Sequence, residues 1–198
     1  MALPQVGRET YNGSDCSWHA PGIWMRWREK MDVYECIRSR RTVREFKPAP
    51  VPDEIVHKIL QAARWAPSSS NSQPWHFIVV ENRDTLRQLG ALVRTGSYVA
   101  QAPLVVVVAI EKTQFAVSDA SRAIQSMILT AWSAGIGSNW VGFLGMIEVK
   151  SLLGIPDALE VLAILPFGYP AQAIGQGKKQ RKSLSEVAHR ERFGQPFE

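Results

Sequence analysis

The segment PLVVVVAI, residues 103–110, constrains the fold more than any other part of the chain because it is apolar at every position. An unbroken run of this length, rich in β-branched residues, is typical of a strand covered on both faces. It is too short to cross a bilayer, which takes about 20 apolar residues. The chain must therefore fold with helices packed on a central sheet.

Helical and strand patterns alternate around this segment. Ile55, Ile59, Leu60 and Ala63 have helical spacing, and Ser183 with Glu186 forms a capping box. The longest helical pattern, 118–135, has Ser118 or Asp119 as its expected cap and Gly135 at its end. Together the patterns predict one layered α+β or α/β domain. The predicted helices are 31–40, 52–66, 84–93, 118–135, 147–154 and 183–194, and the further strands are 75–80 and 160–168.

Composition narrows the class of protein. The 198 residues are 45% hydrophobic and 21% charged, which is typical of a single soluble globular domain. The two cysteines, Cys16 and Cys36, are too few for a disulfide framework and lack the spacing of metal ligands. A reducing cytoplasm is the expected compartment, and no metal site is expected.

Residues 1–30 differ from the rest because they show no clean periodicity. They contain Trp18, Trp24 and Trp27 among glycine, serine and other polar residues. One interpretation is a poorly ordered leader or a misassigned start, with Met25 or Met31 as alternative starts. The other is that the tryptophans dock on the main domain, 31–198.

The net charge of +5 is concentrated in two basic segments. The planar guanidinium group of arginine suits phosphate oxygens. The more specific hypothesis is therefore that both segments converge on one phosphate monoester. Two alternatives stay open, namely a solvated helix end that offsets the helix dipole and a nucleic-acid-binding surface. The first basic segment contains Arg38, Arg40, Arg41, Arg44 and Lys47, and the second contains Lys178, Lys179, Arg181 and Lys182.

The stretch PSSSNSQ, residues 67–73, is called the amide loop below. Its serines, Asn71 and Gln73 supply donors and acceptors at close spacing, and Pro67 and Pro74 stiffen its ends. As a bare pattern it is compatible with any turn. Its place between a helix and a strand, with Trp75 beside it, favours a pocket for a flat heterocycle.

The histidines give no sign of acid–base catalysis. His19, His57, His76 and His189 show neither a Ser-His-Asp arrangement nor metal-ligand spacing. We expect His57 and His189 to be surface residues of helices.

Four motifs in order resemble the FMN-dependent nitroreductase family. The first motif combines RSRRTVREF with APSSSNSQPWHFIVV, and the other three are AGIGSNWVGF, LPFGYPAQ and KKQRKSLSEV. The resemblance runs from about Met31 to the C-terminus. It implies an α+β fold of three layers, with a central mixed sheet flanked by helices, in an intertwined homodimer.

The resemblance also implies a set of cofactor-binding residues. Arg40, Arg41 and Thr42 would hold the FMN phosphate and ribityl chain, Arg44 would approach the pyrimidine end, and Lys179 and Arg181 would return to the phosphate. In the family, the loop that matches Pro67, Ser68 and Ser69 comes from the second subunit, and Asn71 would bond the isoalloxazine edge. The backbone of Val141, Gly142 and Phe143 would lie near flavin N5. No residue is assigned as catalytic, since the flavin carries the chemistry.

The implied activity is NAD(P)H-dependent flavin oxidoreduction. Hydride would pass from NADH or NADPH through FMN to an electron-poor acceptor, such as a nitroaromatic or a quinone, in a ping-pong cycle. A specialised flavin oxidase or dehalogenase on the same scaffold is the alternative, and a nucleic-acid-binding module is a weaker one. Neither nucleic acid nor membrane is an expected partner of the reductase.

Overall fold

A computed structural model describes residues 31–93, 96–142, 146–174 and 179–197. The leader 1–30, Phe143 and Lys178 lie outside the described residues. Within these ranges, no helix is both long enough and apolar enough to cross a membrane.

The described chain forms helices and strands close to the predicted ones. Two 3-10 turns, Ser69–Asn71 and Ser97–Gln101, were not foreseen from the sequence. The elements in chain order are α1 Val33–Ser39, α2 Asp53–Arg64, β1 Trp75–Val80, α3 Arg83–Leu92, β2 Leu104–Glu111, α4 Ala116–Ser133, β3 Gly137–Ser138, α5 Ile147–Leu153, β4 Leu159–Gly168 and α6 Leu184–Val187.

The sheet has the strand order β1-β2-β4-β3, with β2 in its interior. All three strand pairs are antiparallel, and the parallel element of the expected mixed sheet is the isolated bridge between Thr42 and Ser138. Residues 104–109 of β2 are fully buried, as the unbroken apolar run predicts.

Helices cover both faces of β2. Val106 and Val108 pack in one core cluster with α2 and α4, whereas Val105 and Val107 pack in a second cluster with α3 and α5. Successive strand residues point to opposite faces, so one apolar run supplies both clusters. The α+β fold with three layers is confirmed.

Two boundary predictions were wrong. Helix α4 begins at Ala116, after Phe115 as its N-cap, so neither Ser118 nor Asp119 caps it. Asp119 instead lies inside the helix and is fully buried, and its carboxylate accepts a hydrogen bond from Ser69, 50 residues away in the chain. Helix α6 has only four residues, and the backbone bridges His189 to Pro196. His189 is therefore half-buried outside a helix, whereas His57 is exposed on α2 as predicted.

The short strand β3 joins the first basic segment to the sheet. Val43 N–H donates to Ser138 O at 3.0 Å, beside the Thr42–Ser138 bridge. Gly137 makes this approach possible, since a Cβ there would overlap the side chain of Val43. The sheet edge thus sets the path of the chain through residues 42–43.

Candidate functional site

Helix α1 delivers the first basic segment. It begins at the Asp32 N-cap, whose Oδ1 accepts the Glu35 N–H at 2.8 Å. Its last residue, Ser39, accepts a hydrogen bond from Trp132 Nε1 of α4 at 2.9 Å. Helical geometry stops at Arg40, with φ −50° and ψ 134°, so the arginines that follow lie on extended backbone.

Two buried side chains lie among exposed ones along this extended segment. Val43 and Phe46 are buried, whereas Thr42 and Arg44 are exposed. Lys47 N–H donates to Tyr169 O at 2.8 Å, which ties the segment to the chain beyond β4. The two buried residues act as anchors, and they leave Thr42 and Arg44 free to face a ligand.

Lys179 brings the second basic segment to the end of α1. Its Nζ donates to Arg38 O at 2.6 Å and to Ile37 O at 3.3 Å. Carbonyls in the last turn of a helix lack intrahelical donors, and a lysine there also offsets the helix dipole. Segments more than 130 residues apart in the chain therefore meet at one helix end.

The meeting point is crowded with positive charge. The pKa of Lys179 lies below its ordinary value because burial disfavours the charged form, and because Arg41, Arg40, Arg181 and Arg38 repel it. Arg38 is paired with Glu35 at 3.2 Å. Among the described residues, no other ion pair involves either basic segment. The cluster has the electrostatic character of an anion site, and its phosphate-binding role stays a prediction.

The amide loop holds several residues in left-handed backbone. Ser70, Asn71 and Gln73 have φ of 50°, 55° and 50°. Such conformations cost non-glycine residues about 1–3 kcal/mol each, with asparagine the most tolerant. They persist only where surrounding contacts hold them, so this loop is a candidate binding element.

Hydrogen bonds hold the amide loop in this shape. Gln73 N–H donates to Ser68 Oγ at 2.9 Å, and Gln73 Nε2 donates to Asn71 O at 3.2 Å. Ser69 N–H donates to Asp119 Oδ2 of α4 at 2.9 Å. Sequence reasoning missed Asp119 as a site residue, because nothing near it in the chain signals a partner 50 residues away. The side chain of Asn71 stays exposed and available.

Within one chain, the amide loop and the basic cluster are attached to opposite ends of α4. Asp119 holds the loop in the first turns of the helix, and Trp132 holds α1 in the last turn. Thirteen residues of α-helix span about 20 Å. In the described part of the chain, no hydrogen bond joins the loop to either basic segment. The structure thus brings Arg40, Arg41, Lys179 and Arg181 together, but not with Ser68, Ser69 or Asn71.

Two further predicted residues lie on backbone beside β4. Val141 exchanges hydrogen bonds with Ile164, at 2.9 and 2.7 Å. A Cβ at Gly142 would lie 2.6 Å from Trp140 Nε1, so the glycine allows this indole to lie against the chain. Pro67 is exposed at the start of the amide loop.

Trp75 differs from its expected setting. It is only 8% exposed, and it belongs to the core cluster of α2 and α4. Its ring stacks with that of Phe77 at 6.4 Å. The aromatic beside the amide loop is therefore core, because β1 turns it inward, and it is not free to cover a cofactor.

Comparison with known proteins agrees with the fold. The model of the nitroreductase family matches residues 37–113 and 95–169. A Methanothermobacter thermautotrophicus protein, named provisionally as an NADH dehydrogenase/NAD(P)H nitroreductase, is 37% identical over 155 residues, covering 74% of this chain and 81% of its own. Rat iodotyrosine deiodinase 1 is 24% identical over 201 residues, covering 82% of this chain and 70% of its own.

A solved structure has the same architecture. The FMN-dependent nitroreductase of Clostridium difficile superposes with a TM-score of 0.72 at 28% identity, covering 80% of this chain and 98% of that one. The agreement of family model, sequence relatives and fold leads to one conclusion: this chain belongs to the nitroreductase family.

Proposed function

We propose that the protein is an FMN-dependent oxidoreductase that uses NAD(P)H to reduce electron-poor acceptors such as nitroaromatics or quinones. The observation that carries this proposal is the convergence of Arg40, Arg41 and Arg181 on Lys179. Relatives named for NAD(P)H nitroreductase activity and an FMN-dependent structural neighbour support it. Bound FMN would supply the redox chemistry, accepting a hydride and passing electrons on.

The charges of the basic cluster fit a terminal phosphate. Arg40, Arg41 and Arg181 lie close enough to Lys179 to disfavour its charge, and none of the four has an acidic partner among the described ion pairs. A dianion there would relieve their mutual repulsion and accept charge-assisted hydrogen bonds. Thr42, exposed beside them, adds a neutral donor for the same group or for the ribityl chain. A compact cluster of this kind suits one phosphate better than the repeating charge of a polymer.

In this proposal, the remaining site residues contact the flavin ring. Asn71 presents an exposed amide with both donor and acceptor, which matches the mixed edge of isoalloxazine. Ser68 and Ser69 flank it in the amide loop. Val141 uses its own N–H and carbonyl on Ile164, so in the segment near N5 the backbone of Gly142 would face the flavin. Exposed Arg44 stabilises negative charge that develops at the pyrimidine end on reduction.

We infer a homodimer from the placement of these groups. The amide loop and the basic cluster lie about 20 Å apart along α4 within one chain, because they are attached at its opposite ends. Two chains related by a two-fold axis, with their α4 helices antiparallel, would bring the loop of each to the cluster of the other. Each FMN would then lie between subunits.

Exposed apolar side chains on α1 support the same assembly. Val33, Tyr34 and Ile37 are 71%, 72% and 49% exposed, beside the basic cluster. Neighbouring apolar side chains on one short helix favour burial against a partner. We place this dimer in the cytoplasm, where NAD(P)H and reduced cysteines are the ordinary condition.

The alternative is a specialised dehalogenase or oxidase on the same scaffold. The similarity to iodotyrosine deiodinases favours it as second candidate. Both candidates share the FMN site, so the acceptor distinguishes them. An acceptor panel with NADH and NADPH tests the proposal: we expect steady turnover with menadione and a nitroaromatic, in parallel-line ping-pong kinetics. Turnover confined to an iodinated phenol would favour the dehalogenase instead.

Arg40→Ala should weaken FMN binding about tenfold or more, since a charge-assisted hydrogen bond is worth about 1.5–3 kcal/mol. Fluorescence quenching of FMN titrated with apoprotein gives the dissociation constant. Arg87→Ala is the matched control, because Arg87 pairs with Asp84 on the exposed face of α3. Equal FMN affinity in both variants and the wild type would remove Arg40 from the phosphate site.

FMN affinity should fall as pH rises through the lowered pKa of Lys179, below its ordinary 10.5. The phosphate of FMN favours the charged form of Lys179. Above the pKa of Lys179 in the apoprotein, FMN binding must therefore be accompanied by protonation of this amine, and that requirement weakens the apparent affinity. Lys179→Arg keeps its charge throughout and should lack this component, while ionisation of the ligand itself is common to both proteins. Parallel pH profiles for the two proteins would contradict a role for Lys179.

Mixed dimers test whether the site spans two chains. One chain carries Arg40→Ala with Arg41→Ala, and the other carries Asn71→Gly, which keeps left-handed backbone accessible. If loop and cluster come from different chains, the mixed dimer has one intact site and one doubly damaged site. Differently tagged chains, purified as mixed dimers, should therefore bind about half an equivalent of FMN per chain with wild-type affinity. Two equally weakened sites, or a monomer by light scattering, would contradict this arrangement.

A further inference from the structure

Asp119 is a buried carboxylate for which the proposed chemistry has no use. It has no exposed surface, so it cannot reach a substrate or a flavin directly. Its two oxygens have separate partners: Oδ2 accepts the Ser69 N–H at 2.9 Å, and Oδ1 accepts Arg122 Nη1 at 2.6 Å. A buried carboxylate is costly unless such partners satisfy it, so these two contacts account for its presence.

The Ser69 N–H stands at the point where the amide loop changes direction. Ser68 is extended, with φ −133° and ψ 157°, and Ser69 opens the 3-10 turn that contains left-handed Ser70 and Asn71. The bond to Asp119 therefore fixes where the turn begins relative to α4. The first turns of α4 also favour a negative charge, which strengthens the carboxylate as an anchor.

We propose that Asp119 is a positioning residue, which holds the amide loop in its FMN-binding conformation through its hydrogen bond from the Ser69 N–H. This inference rests on the proposed function. Left-handed residues return to ordinary backbone when their restraints go, so an unanchored loop would spend less time with Asn71 correctly placed. The flavin would then bind more weakly, although no group that touches it has changed.

The two oxygens of Asp119 have separable roles. Arg122 is half exposed, so water can replace its contact with Oδ1. Ser69 N–H lies in a partly buried place and depends on Oδ2. An asparagine at 119 still offers one oxygen to Ser69, whereas a leucine of similar size offers none. Asp119→Asn should thus rescue the loss that Asp119→Leu causes.

The experiment removes the hydrogen bond between Ser69 and Asp119 in two ways, by deleting either its acceptor or its donor. Asp119→Leu deletes the acceptor, and Ser69→Pro deletes the donor at a position where the extended Ser68 before it suits a proline. Ser69→Ala is the reference for Ser69→Pro, since both lose the hydroxyl and only the alanine keeps the N–H. Arg122→Gln is the control for Asp119→Leu, since it keeps the bond from Ser69. Each full-length apoprotein is titrated with FMN, and exchange of amide hydrogens in residues 67–74 is followed by mass spectrometry without FMN.

Both deletions are expected to raise the FMN dissociation constant about tenfold over their controls, and to speed exchange in the loop. The double variant should be no worse than either single one, since both remove one interaction. Asp119→Asn should stay within about threefold of the wild type. The visible spectrum of residual bound flavin should shift in the two deletions alone, which a general loss of stability would not produce.

Three results would overturn the inference. They are unchanged FMN dissociation constants in both deletions, additive losses of FMN affinity in the double variant, or amide hydrogen exchange in the loop equal to that of the wild type. If Asp119→Leu does not fold, Ser69→Pro with Ser69→Ala decides the question. A wild type that binds no FMN would sink the proposed function instead. Amide hydrogen exchange of the loop in the apoproteins would then still decide whether Asp119 anchors the loop.

Discussion

Repulsion among cations at the end of α1 is the constraint on which the proposed site depends. Burial first, and then the charges of Arg41, Arg40, Arg181 and Arg38, lower the pKa of Lys179, whose Nζ bonds the last carbonyls of α1. A protein keeps such a cluster at a cost to its folded state. In the proposed function, a bound phosphate would offset this repulsion, so the same charges would contribute affinity for it.

Helix α4 sets the geometry of everything around this cluster. Its last turn holds α1 through Trp132, and its first turns hold the amide loop through Asp119. Its inner face meanwhile fills the core under β2, with Ala120, Ile124 and Met127 fully buried. A rigid helix keeps its two attachments apart, which is why one chain alone does not join the amide loop to the basic cluster. In the proposed dimer, cofactor placement would then be a property of a pair of chains.

The amide loop shows how strain and support are combined at a binding element. Three residues in left-handed backbone expose the Asn71 side chain, and a buried carboxylate from another element steadies them. A loop that relied on local bonds alone would exchange among several shapes. In the proposed function, support from a core helix would give the loop the precision that recognition of a flat ring requires.

The sequence by itself determined the layers of the fold and the chemical types at the site. An unbroken apolar strand must be covered on both faces, and arginines beside a loop of serines and amides indicate an anion attached to a heterocycle. These are local properties, readable from residue type and spacing. Only the tertiary structure decided three other features. Asp119 bonds Ser69 and does not cap α4, Trp75 packs in the core, and Lys179 bonds the end of α1. Those contacts join residues far apart in the chain, and no local pattern encodes a partner whose position depends on how the whole core packs.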